Sequence, residues 1–204
     1  MTVTSLLLRH EQSWVRATRH PFLRAVADGS LPEAAFTTWL AQDYLFVADL
    51  LWFQARLLGR APRPPQAVLG GGVVALVDEL AWFEHHAVAH GVDLASPPRS
   101  ATLAYRQLLQ RLDDAEFPVA LVGLWVLEQA YLDAWSFAAP GAPPYRDVVR
   151  HWTVPEFAMY VDGLRAAADE HADDGTPGVD AVFKEVVEAE ERFWDMAFEG
   201  AGGS

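Results

Sequence analysis

Residues 36–54, FTTWLAQDYLFVADLLWFQ, carry an apolar stripe with the spacing of a helix that faces a protein core. The apolar residues recur every three or four positions and are Phe36, Trp39, Leu40, Phe46, Val47, Leu50 and Leu51. Asp43 falls in the middle of this stripe. Because a buried carboxylate is costly unless it is paired or hydrogen-bonded, this helix places an acid where the fold alone would favour leucine.

The same helical spacing recurs along most of the chain. Further helices are predicted over residues 4–28, with a bend at His20-Pro21, and over 66–90, 100–112, 114–137, 145–152, 153–171 and 179–198. Strand signals are nearly absent, since no run alternates apolar and polar residues and no Asn-Gly hairpin turn occurs. The sequence therefore predicts an all-α fold, a bundle of about eight helices around one core.

The length and composition fit one globular domain. A chain of 204 residues can bury one sizeable core, and a hydrophobic fraction of 51% is too high for a disordered chain. We expect residues 1–204 to form a single helical domain with frayed ends at 1–3 and 200–204.

The charge balance limits the classes of partner. With 28 acidic and 15 basic residues the net charge is -13, which argues against nucleic acids and anionic membranes. The absence of cysteine excludes disulfides, Cys-ligated metals and a thiol nucleophile. The first residues do not resemble a signal peptide and no uninterrupted apolar run reaches about 18 residues, so we expect a cytoplasmic protein without a transmembrane helix.

Two further carboxylates lie on the apolar stripes of other predicted helices. Glu128 lies four residues after Leu124, and Glu190 lies three residues before Phe193. A single such acid could be a core residue that an Arg, a Trp indole or a Tyr hydroxyl satisfies. Three acids on three helices, in a chain with few candidate buried cations, favour a polar pocket inside the bundle instead.

The walls of this pocket are predicted to be aromatic. The candidate wall residues are Phe46, Trp125, Tyr131, Trp152 and Phe193. Such a pocket suits a flat, cationic or amidine-like heterocycle, because the ring stacks while a carboxylate accepts hydrogen bonds from its amino group. Two acids in one aromatic pocket are expected to titrate apart, with one ionised and one protonated near neutral pH.

A metal site is not expected. His85 and His86 lie close in sequence to Glu79, Glu84 and His90. A two-metal carboxylate site in a helical bundle requires Glu-x-x-His on two helices, and this cluster lacks that spacing. We interpret the cluster as a solvated face and predict neither a metal nor another cofactor.

Three segments match one known family. They are HPFLRAVADGSLPEAAFTTWLAQDYLF (residues 20–46), HWTVPEFAMYVDGL (151–164) and EERFWDMAF (190–198). The first resembles the N-terminal signature of the TenA family, the thiaminase II and thiamin-salvage proteins of the haem-oxygenase-like helical fold. The other two resemble the penultimate and closing helices of that family, so the similarity spreads over essentially the whole chain.

The resemblance implies roles for individual residues. Asp43 matches the family's pyrimidine-binding Asp, which would hold the exocyclic amine and the adjacent ring nitrogen. Glu190 matches the catalytic acid/base, Phe193 matches the aromatic residue that stacks on the ring, and Tyr105 matches an active-site Tyr.

The chain also departs from the family pattern. The position of the family's Cys nucleophile falls on Leu124, and a family Tyr falls on Glu128. Phe46 and Trp152 stand where the Cys-type enzymes carry Tyr. This pattern resembles the Cys-less TenA-E subclass and argues against thiaminase II activity, which needs a nucleophile that attacks the pyrimidine ring.

The resemblance implies salvage hydrolysis of aminomethyl-pyrimidine, its N-formyl derivative, or both, to give hydroxymethyl-pyrimidine. Asp43 would orient the ring, Glu190 would transfer protons, and Glu128 would act as general base for water or as a transient nucleophile. Two alternatives stay open: a metal-dependent oxygenase of the same fold and a non-catalytic pyrimidine-binding or regulatory protein. Family precedent further implies a homo-oligomer, either a dimer or a tetramer.

Overall fold

The computed structural model describes residues 2–199, and these residues form ten α-helices and no β-strand. The helices are α1 (Ser5–Arg9), α2 (Glu11–Thr18), α3 (Pro21–Asp28), α4 (Glu33–Arg60), α5 (Gln66–His90), α6 (Ser100–Asp114), α7 (Phe117–Ala138), α8 (Arg146–His151), α9 (Pro155–His171) and α10 (Val179–Glu199). The predicted all-α fold is confirmed, with ten helices in place of about eight.

The two additional helices come from the N-terminal segment, which is three helices and not one bent helix. The chain leaves the helical conformation at His10 and again at Arg19. His20 is extended and Pro21 opens α3, because proline disfavours helical geometry in the residue before it. The imidazole Nδ1 of His20 accepts a hydrogen bond from the Phe22 backbone N–H at 3.2 Å, which satisfies one free donor of the new helix.

The N-terminal residues are better anchored than the sequence suggests. Val3 is fully buried, and its backbone N–H donates to Asp169 Oδ1 at 2.7 Å. These two contacts hold Val3 against the bundle, while the fraying predicted for residues 1–3 stays a prediction. Met1 and residues 200–204 lie outside the described residues, as does the fraying predicted for them.

Helix α7 is the centre of the bundle. It contacts α2, α3, α4, α6, α8, α9 and α10, and every residue from 120 to 128 is buried. Trp135 of α7 packs against Trp39 of α4 and Trp194 of α10, with ring centroids 5.2 Å and 5.9 Å apart. Aromatic pairs of this kind add roughly 0.5–1.5 kcal/mol beyond area burial, so they fix the three helices that carry the acids.

Helix α5 is packed on one side only. It lies against α4 and α9, while Val74 and Val77 are more than half exposed. Among the described helices, α5 alone is long and apolar enough to cross a membrane by length and composition, a test that core helices of water-soluble proteins also pass. A search for uninterrupted apolar runs misses α5, because Asp78 and Glu79 interrupt the run.

Gly72 of α5 allows a close approach between helices. A Cβ at this position would lie 2.1 Å from Gln54 Nε2 and 2.5 Å from the Tyr160 hydroxyl oxygen. Both groups are engaged, since Gln54 Nε2 donates to the Leu69 carbonyl at 3.0 Å and the Tyr160 hydroxyl donates to Gln54 Oε1 at 3.1 Å. A side chain at Gly72 must therefore displace a buried hydrogen-bond network.

We expect Gly72→Ala to destabilise the fold by about 1–3 kcal/mol, because overpacking forces buried side chains off their rotamers. Gly71→Ala is the matched control, since no atom lies within 4 Å of a Cβ there and Ala is the better helix former. Urea denaturation measures both free energies of unfolding. Equal stabilities of the two variants would contradict the close approach at Gly72.

Candidate active site

The three acids predicted to face the interior are all buried. Asp43 of α4 is 1% exposed, Glu128 of α7 is 6% exposed and Glu190 of α10 is 4% exposed. The helices α4, α7 and α10 contact one another pairwise, so the three acids lie in one region of the core. The sequence prediction of where these side chains lie thus agrees with the structure, while their chemical roles stay predictions.

Two of the acids accept a hydrogen bond from a buried tyrosine. The Tyr131 hydroxyl donates to Asp43 Oδ2, and the Tyr105 hydroxyl donates to Glu190 Oε1 at 2.6 Å. A hydroxyl supplies one hydrogen bond and no positive charge. These bonds hold the carboxyl groups in place without neutralising them.

Glu128 is the least well satisfied of the three acids. The Tyr160 hydroxyl lies 3.5 Å from Glu128 Oε1 but 3.1 Å from Gln54 Oε1. Because a phenol has only one proton to donate, the shorter contact to Gln54 leaves Glu128 with a weak partner. The Glu128 carboxyl thus has no strong hydrogen-bond donor among the side chains of residues 2–199.

None of the three acids has a basic partner among residues 2–199. Burial is the main cause that raises the pKa of Asp43 to about 7 and the pKa values of Glu128 and Glu190 to about 8. The expectation that two acids titrate apart stays a prediction, since burial raises the pKa values of Glu128 and Glu190 to the same value of about 8. Desolvation acts on Glu128 and Glu190 alike, and no neighbouring cation distinguishes them.

A fourth acid, Glu79 of α5, belongs to the same cluster. It is half-buried, and burial together with the negative charges of Glu128 and Asp43 raises its pKa well above the ordinary value. Sequence reasoning placed Glu79 with the nearby histidines on a solvated face. The overlooked signal was its position three residues after Leu76 and four before Phe83, which are both buried on the same face of α5.

A small closed cavity lies among these acids. Its volume is about 20 Å³, and its polar and aromatic lining residues are Asp43, Phe46, Glu79, Glu128, Tyr131, Trp152 and Phe157. This volume is close to that of one water molecule, so a pyrimidine ring can enter only if lining side chains move.

An open pocket of about 560 Å³ lies outside the cavity, and we call it the vestibule. It is lined by residues of α5 and of the segment from His151 to Tyr160. Glu79, Trp152 and Phe157 line both the vestibule and the cavity. These three side chains therefore form the boundary between the two spaces, and the vestibule has the size of a small-molecule site.

Three of the five predicted wall residues line the cavity, and a fourth packs against one of them. Phe46, Tyr131 and Trp152 line the cavity. Tyr105 and Phe193 lie behind Phe46, with ring centroids 4.5 Å and 5.9 Å from its ring. Glu190 accepts the hydrogen bond of Tyr105 and, like Tyr105, does not line the cavity.

Trp125, the fifth predicted wall residue, lies away from the cavity lining. It is fully buried in the core and does not line the cavity. Helix α7 is buried on every face over this stretch, so hydrophobic spacing cannot show which face meets the cavity. Leu127, Glu128 and Tyr131 are the α7 residues that do so.

The histidine cluster lies apart from the acids. His85, Glu84 and His90 are exposed, and His86 stacks on Trp82 with ring centroids 3.8 Å apart. Across the part of the chain that the structure describes, no group of three or more His, Asp or Glu side chains is arranged to hold a metal ion.

Comparisons with known proteins identify relatives over the whole length. The profile of the TENA/THI-4/PQQC family matches residues 7–200. The chain is 30% identical to the "Probable bifunctional TENA-E protein" of Glycine max, over 94% of this chain and 90% of that protein. It is 24% identical to the "Aminopyrimidine aminohydrolase" of Halalkalibacterium halodurans, over 95% of this chain and 94% of that protein.

Solved structures show the same fold. A TenA homologue from Pyrococcus furiosus superimposes with a TM-score of 0.90 at 29% identity. The superposition covers 97% of this chain and 100% of that one. A TenA homologue from P. horikoshii superimposes with a TM-score of 0.89 at 21% identity, covering 98% of this chain and 100% of that one.

The pH dependence of stability tests whether the buried acids keep their protons. Because burial raises the pKa of Glu128 from 4.5 to about 8, the folded chain retains a proton that the unfolded chain loses. The contribution of this proton to the free energy of unfolding is fully present below about pH 4.5 and is lost as the pH rises to about 8. We expect Glu128→Gln to flatten the fall in unfolding free energy over this window by up to about 1.4 kcal/mol per pH unit, measured by urea denaturation.

Glu188→Gln is the control for this measurement, because it makes the same substitution at an exposed glutamate of α10. It should keep the pH dependence of the wild-type chain. If the unfolding free energy of Glu128→Gln has the same pH dependence as that of the wild-type chain, Glu128 does not keep its proton in the folded protein, and its proposed protonation is refuted.

Proposed function

The chain belongs to the TENA/THI-4/PQQC family, and we propose that it is a hydrolase of thiamin-pyrimidine salvage. Its substrates are aminomethyl-pyrimidine, the N-formyl derivative of this amine, or both, and the end product is hydroxymethyl-pyrimidine. The names of the two curated relatives, a TENA-E protein and an aminopyrimidine aminohydrolase, support the assignment.

The observation that carries the proposal is the cluster of buried acids without a basic partner. Asp43, Glu79 and Glu128 line one cavity beside Phe46 and Trp152. An aminopyrimidine offers a ring nitrogen next to an amino group, which matches a carboxyl group, and a flat face that stacks on aromatic rings. A cationic ligand supplies the positive charge that the protein itself does not provide.

Asp43 holds the aminopyrimidine edge in this proposal. Its second oxygen stays available while Tyr131 donates to Oδ2, so the carboxyl group keeps its orientation when the ring binds. Burial keeps water away from this contact and strengthens it, since electrostatic interactions grow as the local dielectric falls.

Glu128 acts on water. Near neutral pH the Glu128 carboxyl is protonated before substrate binds, since burial raises its pKa to about 8. A bound cation favours the ionised carboxylate and lowers that pKa, so substrate binding itself prepares the base. Glu128 then takes a proton from water, which attacks the formyl carbon or the aminomethyl carbon.

Both reactions are simple hydrolyses. Water and the N-formyl derivative give formate and the amine, while water and the amine give the alcohol and ammonia. In each case a C–N bond breaks, a C–O bond forms, and the leaving nitrogen gains a proton. Glu190, held by Tyr105, is the acid that supplies this proton in our proposal.

Glu190 reaches the substrate only if Phe46 moves. The Phe46 ring lines the cavity and also packs on Tyr105 and Phe193 around Glu190. Rotation of this ring away from Glu190 would enlarge the cavity towards the Glu190 carboxyl group. Phe193 could then stack on the pyrimidine, as the family resemblance implies.

The oligomeric state and the location are also part of the proposal. Val74 and Val77 of α5 and Met159 of α9 are 63%, 54% and 64% exposed, and exposed apolar groups of this kind mark association surfaces. We propose a homo-oligomer, a dimer or a tetramer, in the cytoplasm.

Two other functions make different predictions. A metal-dependent oxygenase of this fold needs a His-rich pocket, whereas the cavity lining within residues 2–199 is acidic and aromatic. A protein that only binds pyrimidines shares the role of Asp43 but gives Glu128 no chemistry to perform.

We expect Glu128→Gln to bind pyrimidine with near wild-type affinity and to lose at least about 100-fold in kcat, because general-base catalysis contributes this much or more. Calorimetry with hydroxymethyl-pyrimidine and steady-state kinetics measure the two quantities. Glu188→Gln is the surface control and should retain full activity. Unchanged turnover in Glu128→Gln would rule out the role assigned to Glu128.

Treatment with EDTA is expected to leave turnover unchanged, because the proposed steps use only water and side-chain carboxyl groups. Activity before and after dialysis against the chelator measures this directly. Inactivation that added iron reverses would support the oxygenase instead.

A further inference from the structure

Glu79 occupies a position that neither the fold nor the proposed hydrolysis explains. Of the three residues shared by the vestibule and the cavity, it is the only one that can carry a charge, since the other two are Trp152 and Phe157. A molecule that moves from the vestibule into the cavity therefore comes close to this carboxyl group.

The surroundings of Glu79 do not stabilise a negative charge. Asp43 and Glu128 line the same cavity and repel it, and no Arg, Lys or His causes a compensating shift in its pKa. Leu76 and Phe83, on the same face of α5, are buried hydrophobic residues. An apolar residue would suit the fold better at this position, so the acid is best explained by a ligand that carries a positive charge.

The chemistry of the proposed substrates identifies that charge. The amino substrate carries its aminomethyl group on the ring carbon next to the one that bears the exocyclic amine. With Asp43 on the exocyclic amine, the aminomethyl group is directed to a neighbouring part of the cavity lining. An aliphatic amine is cationic near neutral pH, whereas the N-formyl amide and the hydroxymethyl group are neutral.

We propose that Glu79 determines specificity for the exocyclic group, by binding the aminomethyl ammonium of the substrate at the boundary between vestibule and cavity. The assignment rests on the proposed function and adds a residue to it. Glu79 makes the amine the most tightly bound of the three pyrimidines. The neutral alcohol loses this ion pair and is released, while amine formed from the N-formyl derivative is retained for the second hydrolysis.

The test compares two ligands that differ only at this group. Calorimetry gives the Kd values of aminomethyl-pyrimidine and hydroxymethyl-pyrimidine for the wild-type chain and for Glu79→Gln. We expect the wild-type chain to prefer the amine by about 10-fold or more, as for a hydrogen bond to a charged group. Glu79→Gln should weaken amine binding by about that factor and leave the alcohol almost unchanged.

Asp78→Asn is the matched control. Asp78 adjoins Glu79 on α5 and lines the vestibule, but it does not line the cavity. This variant makes the same change in net charge and should keep the wild-type preference for the amine. A loss of preference in Asp78→Asn equal to that in Glu79→Gln would show that general charge, and not Glu79, selects the amine.

Three further results separate the possible failures. If the wild-type chain binds neither pyrimidine, the proposed function fails and this assignment fails with it. If it binds both and Glu79→Gln weakens both equally, the effect is structural and only the role of Glu79 is overturned. Wild-type preference retained in Glu79→Gln would overturn that role as well, while turnover by the wild-type chain would still support the proposed function.

Discussion

The constraint on which the rest of the structure depends is a cluster of three buried carboxyl groups and one half-buried one, with no basic partner among residues 2–199. Asp43, Glu79, Glu128 and Glu190 come from four different helices, and each has a raised pKa. Such a cluster destabilises a fold unless protons or a ligand neutralise it. The central helix α7 and the packed tryptophans provide the stability that allows the cluster to persist.

The same constraint links structure to chemistry. In the proposed mechanism the charge of a cationic pyrimidine takes the place of the Glu128 proton, which leaves an ionised Glu128 to act on water. The cavity of about 20 Å³ is too small for a ring, so Phe46 and the boundary with the vestibule must rearrange when substrate enters. Binding, proton release and opening of the site are thus expected to occur together.

Much of the fold follows from the helical period of the apolar residues, and three acids were found because they interrupt that pattern. Glu79 was missed because the adjacent histidines suggested a solvated face, although its own spacing from Leu76 and Phe83 is that of a core residue. The helical period does not show which face of α7 meets the cavity, because every residue from 120 to 128 is buried. The contact between Tyr160 and Gln54 joins positions far apart in the chain, and no local pattern predicts it.

The most direct test of Cys-independent salvage is a mass-spectrometric turnover assay with three substrates side by side. These are thiamin, aminomethyl-pyrimidine and the N-formyl derivative of the amine. We predict conversion of at least one pyrimidine with thiamin left intact, because the chain has no cysteine to act as the nucleophile in thiamin cleavage. Cleavage of thiamin would contradict it, as would pyrimidine binding without conversion of any of the three.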